Sequence, residues 1–270
     1  ELERFSGIKH HNIAFYGQKD CYEYLNELLG MYDLNLDDFV GVYGTPGLIE
    51  GDTDISFTSI LDVKDISYHA ISHLYSSLLM DSQKYYNNTI LALAFDGGSD
   101  HVLDKKVDTK FLFCGAVAKK GNIEYFPIAS PGAYWLYLSD YFKKTEGALM
   151  ALAYATKTTS LEQFEDLPDY RKVSDRTAMI VAINKIIDRI MGYTLNDENV
   201  LYVDYDERFS EEECKLSMIM KVIQELSVKK VFQQIDLILN HYRLRPEETI
   251  IALAGGYALT CPTSTQIMHK

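Results

Sequence analysis

DISYHAISHLYSSLLMDSQKYYNNTILALAFDGGSD, residues 65–100, reads as a helix, a buried strand and a glycine turn in succession. Its first half sets His69 and His73 four residues apart in a run, 66–80, whose apolar positions recur at helical spacing. Side chains at i and i+4 of a helix stand one above the other, so both imidazoles can reach a single metal ion. Asp65 or Ser67 stands where an N-cap belongs. The polar stretch 85–88 then breaks the pattern before ILALAF, 90–95, a continuous apolar run of strand length that fits a central strand covered on both sides. The strand runs into Asp96-Gly97-Gly98, where the backbone can turn sharply and approach a phosphate. A metal and a nucleotide phosphate side by side would make a phosphoryl or acyl-adenylate site. An HxxxH pair also occurs on helices as a structural or solvent-facing feature, and Gly-Gly after a strand is also simply a tight turn.

Outward from this stretch the chain alternates helices and strands. Residues 21–31 have helical spacing and end at a turn, 32–35; 39–43 reads as a short strand and 44–53, with three glycines and a proline, as a loop. Strands are expected over 111–119 and 123–128, joined by a hairpin turn at Lys120-Gly121-Asn122. Helices are expected over 131–142, 146–156 and 174–192, with 160–173 irregular. Ser210 followed by Glu213 is a capping-box pattern opening a long helix to about 241. TIIALA, 249–254, is a second buried strand, and it too ends in paired glycines, Gly255-Gly256.

The bulk properties restrict the function. At 270 residues the chain holds one large domain or two lobes. A net charge of −13 argues against broad affinity for nucleic acid, because phosphate contacts need clustered Lys and Arg. Cys21, Cys114, Cys214 and Cys261 are scattered without a CxxC pair, as expected of thiols in a reducing compartment. No secretory signal and no membrane-spanning apolar run stand out, so a cytoplasmic protein without membrane partners is expected. The abrupt opening on ELERFSGIKHH reads as a piece of a longer protein.

Five segments, in order along nearly the whole chain, resemble the NodU/CmcH-type O-carbamoyltransferases. ELERFSGIKHH resembles their E-x-ER-(x)3-KH segment, HAISHLYSS their HHxxHA-x-S helix, and AFDGGSD their DG-x-x-D turn. TEGALMALAYA resembles their EGK-x-MGLA-x-Y segment and LAGGYALTCPTST their GG-x-ALNCPTN loop. The resemblance implies an α/β, actin-like and ribonuclease H-like fold of the ASKHA class, mixed sheets flanked by helices. Residues 1–88 would form a partial first lobe carrying the HxxxH helix, and 89–270 a second lobe with the DGG and GG nucleotide loops. It further implies transfer of a carbamoyl group from carbamoyl adenylate to a hydroxyl of a small-molecule acceptor. The adenylate would be made from carbamoyl phosphate and ATP by a separate YrdC-like domain or chain.

Carried over residue by residue, the resemblance makes His69 and His73 ligands of a divalent metal, Fe(II) or Mn(II). Gly255, Gly256 and Tyr257 would line the nucleotide, Asp96, Gly97 and Gly98 would lie near its phosphate, and Lys9 would contact phosphate or carbamoyl oxygens. A shifted alignment would make the metal site Asp65 plus His69 instead. The family's lysine in EGK is Ala148 here, and its two late asparagines are Thr260 and Ser264. The family pattern also calls for a strand with an HDAS-like phosphate loop before Glu1 and a late GD-x-G aspartate after Lys270. Two functions therefore follow: an active carbamoyltransferase lobe, or a non-catalytic module of the same fold that binds a nucleotide or a partner protein. An unrelated ASKHA kinase or phosphatase would leave the KH and CPT segments without a role.

Overall fold

The computed structural model describes residues 18–39, 65–98, 107–155, 163–194 and 208–269. The expected strand at 40–43, the loop at 44–53 and the N-terminal KH segment lie outside them. By its packing the chain divides into Glu1–Asp62 with His101–Lys105, and Val63–Asp100 with Lys106–Lys270. In the first unit, helix α1 (Gln18–Gly30) ends at a turn where Asp33 takes a φ of 56°. A short 3-10 helix then follows, capped by Asn35.

The second unit is an α/β structure. Helices α2 (Tyr68–Leu78) and α3 (Ser82–Asn87) precede strand β1 (Thr89–Ala94). Strands β2 (Cys114–Lys119) and β3 (Asn122–Pro127) follow, then α4 (Gly132–Phe142), α5 (Glu146–Leu152), α6 (Arg176–Met191) and α7 (Glu211–His241). Strand β4 (Thr249–Ala254) and helix α8 (Cys261–His269) complete it. Among the described residues the sheet has four strands in the order β3-β2-β1-β4. β1–β2 and β2–β3 are antiparallel, and β1–β4 is parallel, with Ala94 beside Ala254. The sheet is therefore mixed, with helices on its faces.

Alternation along β1 separates two cores. Ile90, Ala92 and Ala94 face one cluster, and Leu91, Leu93 and Phe95 the other, as the period-two geometry of a strand requires. On the first face Ala92, Ala94, Cys114, Ala116 and Ala118 are small, so α2 can lie close with Ala70, Ile71, Leu74 and Leu78 buried against them. On the second face the large residues pack with Trp135 of α4, Ile183 of α6 and Met220 and Ile223 of α7. Each fully buried leucine there contributes about 1.5–3 kcal/mol of hydrophobic stabilisation. This packing places α2 with the sheet and not with a lobe ending at residue 88.

Turn and cap chemistry largely follow the sequence. Lys120 and Gly121 both take positive φ, 49° and 82°, the geometry of a tight two-residue hairpin. Ser210 and Glu213 form the reciprocal capping box that opens α7. Residues 82–87 are helical because Asp81 caps them, and Tyr85 is buried with its hydroxyl donating to the Gly121 carbonyl at 2.9 Å. That buried tyrosine makes 85–88 more than a polar break. The helix expected over 146–156 stops at Leu152.

Candidate metal centre and adjoining cavity

Ser67 fixes the start of the histidine helix. Its hydroxyl accepts from Ala70 N–H at 3.2 Å and donates to the Leu112 carbonyl at 3.3 Å, while its own N–H donates to the Phe111 carbonyl at 2.9 Å. The cap is thus bonded both to the helix and to the segment entering β2. The stripe Ala70-Ile71-Leu74-Leu78 faces the sheet, which leaves His69 and His73 on the flank, one turn apart and half-buried, with ring centroids 4.8 Å apart. Asp65 is exposed and takes no part in the cluster, so the shifted alignment, Asp65 plus His69, is not assembled.

The third member is Asp96. It follows β1 directly, and its Oδ2 lies 2.8 Å from His69 Nε2 and 3.6 Å from His73 Nε2. The other oxygen, Oδ1, accepts from Gly256 N–H at 2.9 Å. Among the described residues His69, His73 and Asp96 are the group whose ligand atoms, one from each, lie within 4.8 Å of one another. Burial by itself would push the Asp96 carboxyl up. The hydrogen bonds from His69, His73 and Gly256 outweigh it and hold the group well below the usual carboxylate range.

Backbone geometry accounts for this meeting. β1 and β4 run parallel and in register, so the two glycine turns emerge at the same edge, beyond the carboxyl ends where ligands bind in such sheets. Phe95 N–H donates to the Ala254 carbonyl at 2.8 Å, and Tyr257 N–H donates to the Phe95 carbonyl at 3.2 Å. Gly255 has a φ of +92°, and a Cβ there would lie 2.2 Å from the Phe95 carbonyl oxygen. Gly132 is equally constrained, since its Cβ would lie 2.3 Å from the Asp96 carbonyl oxygen. Ser130 completes the collar by donating its hydroxyl to that oxygen at 2.6 Å. Gly97 and Gly98 carry no such demand, because a Cβ at either would meet Leu136 at ordinary contact distance.

Behind the Gly256 turn is a cavity of about 390 Å³ whose walls include Trp135, Glu146, Met150, Gln224, Gly256 and Tyr257. Its size falls in the range of small-molecule sites, roughly 300–1,000 Å³. Glu146 is half-buried and has no hydrogen-bonding partner among the described residues; burial, then the charges of Asp96 and Asp140, raises its carboxyl above the ordinary value. Tyr257 is buried and its hydroxyl pairs with that of Thr263 at 2.9 Å. The Thr260 hydroxyl donates to the Tyr257 carbonyl and that of Ser264 to the Ala258 carbonyl, both at 2.7 Å. Ala148 is exposed on α5.

Of the residues singled out from sequence, His69, His73, Asp96 and Gly256 come together, with Gly97, Gly98, Gly255 and Tyr257 beside them. Lys9 lies outside the described residues. Glu146, Trp135 and Gln224 were not assigned from sequence; Glu146 stands within the quoted TEG segment, and Trp135 is the chain's single tryptophan. No protein-family model and no curated protein matches the sequence. No helix among the described residues is long and apolar enough to cross a membrane.

Proposed function

We propose that the chain is an actin-like, ASKHA-class module that transfers a carbamoyl group from carbamoyl adenylate to the hydroxyl of a small-molecule acceptor. The observation that carries this reading is the convergence of His69, His73 and Asp96 at the end of β1, with the Gly256 turn of β4 bonded to the same carboxylate. Two imidazoles and one carboxylate form a donor set that suits Fe(II) or Mn(II). Three donor atoms within 4.8 Å and an aspartate held ionised fit such an ion, with His69, His73 and Asp96 as its protein ligands. The ion would supply Lewis-acid polarisation of a carbamoyl or phosphoryl oxygen.

The chain's own residues do the rest. The cavity behind Gly256 takes the nucleoside, and the turns at 96–98 and 255–257 face its phosphate. In the transfer the acceptor oxygen bonds to the carbamoyl carbon, the bond from that carbon to the phosphate oxygen breaks, AMP leaves, and the hydroxyl proton passes to a base. Glu146, on the cavity wall, has its Oε1 3.9 Å from the point a Cβ at Gly97 would occupy, which makes it a second carboxylate beside Asp96 at this turn and the candidate base. The non-catalytic reading, a module binding a nucleotide or partner protein, is favoured by one observation: an alanine, Ala148, where the resembled family has a lysine.

The test combines binding with turnover. Thermal melting is followed with ATP, with and without Mn(II), for the wild type and a His69→Ala/His73→Ala variant. Ligand at about 100 Kd adds about 2.7 kcal/mol of stability. Loss of the metal-dependent part in the variant is expected. Carbamoyl adenylate supplied by a YrdC-like domain from carbamoyl phosphate and ATP should then release AMP faster when a panel of alcohols is added. A folded His73→Ala protein with unchanged metal content refutes the metal assignment, and ATP binding without alcohol-stimulated AMP release favours the non-catalytic module.

A further inference from the structure

The backbone does not require glycine at 97 or 98. Neither residue takes a positive φ, and a Cβ at either would find room. Added at Gly98 it would meet, among the described residues, only Leu136 Cδ2, at 3.5 Å. Added at Gly97 it would lie 3.7 Å from Leu136 Cβ and 3.9 Å from Glu146 Oε1. The two glycines therefore leave open ground bounded by an apolar side chain and a carboxylate. Both of these can be reached from solvent: Leu136 is 43% exposed, although its neighbour Trp135 is buried, and Glu146 is half-buried. Glu146 also lines the cavity behind Gly256. One carboxylate thus borders both the cavity and the shelf formed by Gly97, Gly98 and Leu136.

We propose that this shelf seats the acceptor and that the acceptor is an uncharged alcohol with an apolar body. This rests on the reading of the chain as a carbamoyltransferase whose nucleoside occupies the cavity. Leu136 offers no hydrogen bond, so it favours carbon over hydroxyl groups. A polyol laid against it loses water from hydroxyls that the leucine cannot pair again. Charge narrows the class further. Asp140 stands one turn beyond Leu136 on α4, and its charge and that of Asp96 both act on Glu146. A hydroxy acid or a sugar phosphate would approach like charge there. With its apolar body on Leu136, an alcohol presents its hydroxyl to Glu146. The hydroxyl proton passes to the Glu146 carboxylate and the oxygen bonds to the carbamoyl carbon. The bond from that carbon to the phosphate oxygen breaks, and AMP leaves with the electron pair. A larger side chain at 97 or 98 would take up the ground that the acceptor needs.

The experiment measures AMP release by the full chain, with a YrdC-like domain supplying carbamoyl adenylate, on addition of benzyl alcohol, glycerol or hydroxymethylbenzoate. Melting with and without ATP, run beside it, reports folding and the nucleotide site separately. Wild type is expected to use benzyl alcohol about tenfold better or more than either competitor in kcat/KM. Leu136→Asn should raise KM for benzyl alcohol about tenfold with kcat little changed, because it removes binding that is the same before and during the transfer. Leu136→Met, apolar and of similar size, should keep the wild-type KM. Glycerol or hydroxymethylbenzoate accepted as well as benzyl alcohol overturns the acceptor class and leaves the transferase reading standing. So does a folded Leu136→Asn protein with an unchanged preference among the three, the behaviour of a merely structural leucine. ATP binding without AMP release on addition of any of them overturns the transferase reading together with this one.

Discussion

Replacing Asp96 by Asn tests the centre of the site with almost no change in shape. The carboxylate joins three elements, through His69 Nε2 at 2.8 Å, His73 Nε2 at 3.6 Å and Gly256 N–H at 2.9 Å. An Asn side chain can still accept from Gly256 with its carbonyl, but it places a neutral amide where the charged oxygen faced the imidazoles. A hydrogen bond to a charged group contributes about 1.5–3 kcal/mol net. In the absence of metal the variant should lose that much at most, about 3–10 °C in melting temperature for a chain of this size. The sign with pH is fixed by the carboxyl, which folding holds below its ordinary value of 3.8. Below that region the unfolded chain binds a proton that the folded protein resists. The stabilisation is therefore fully present above the ordinary carboxylate range and is lost as pH falls through and below it. Melting followed by circular dichroism in chelator from about pH 7 to about pH 3 should show a steeper acid decline for wild type than for Asp96→Asn. A Mn(II) titration of the same proteins should show affinity falling by about tenfold or more, because one of three ligands has lost its charge. Superimposable acid limbs together with equal Mn(II) affinity would refute the argument that Asp96 organises the site.

Two further outcomes follow from the packing. Gly255→Ala forces a side chain into a φ of +92° and sets its Cβ 2.2 Å from the Phe95 carbonyl oxygen, whereas Gly147→Ala on α5 meets nothing within 4 Å; urea unfolding should show a loss of about 3 kcal/mol or more for the first and a gain of up to about 1 kcal/mol for the second. Burial pushes the Cys114 thiol from 9.0 up to about 12, so the folded protein keeps a proton that the unfolded chain releases. Stability should then fall as pH rises above about 9, by about 1.4 kcal/mol per pH unit from this group. Cys114→Ala should flatten that decline in alkaline melting curves, and an unchanged slope would remove the thiol from the explanation.

Sequence by itself determined what depends on neighbours a few residues away. The apolar period of 66–80 set α2, and the serine and glutamate at 210 and 213 marked the start of α7. Lys120-Gly121 marked the hairpin, and the four-residue spacing of His69 and His73 put both imidazoles on one flank. These features rest on helix and turn geometry, whose hydrogen bonds span three or four residues. The glycine at 255 was legible as a turn, although the reason for it, a carbonyl oxygen 2.2 Å from any Cβ, is not local. Only the tertiary structure decided that β4 lies parallel to β1, because that pairing joins strands separated by most of the chain. The same pairing brings Gly256 to Asp96 across 160 residues and supplies Asp96 as the partner of histidines 27 and 23 positions earlier. Trp135 and Gln224 line one cavity although they belong to different helices, a meeting that helix packing decides and no local pattern records. A linear pattern records which side chains share a helix face or a strand face. Which turns meet is fixed by the burial of two opposite sheet faces, one small enough to admit α2 closely and one large enough to hold the remaining core.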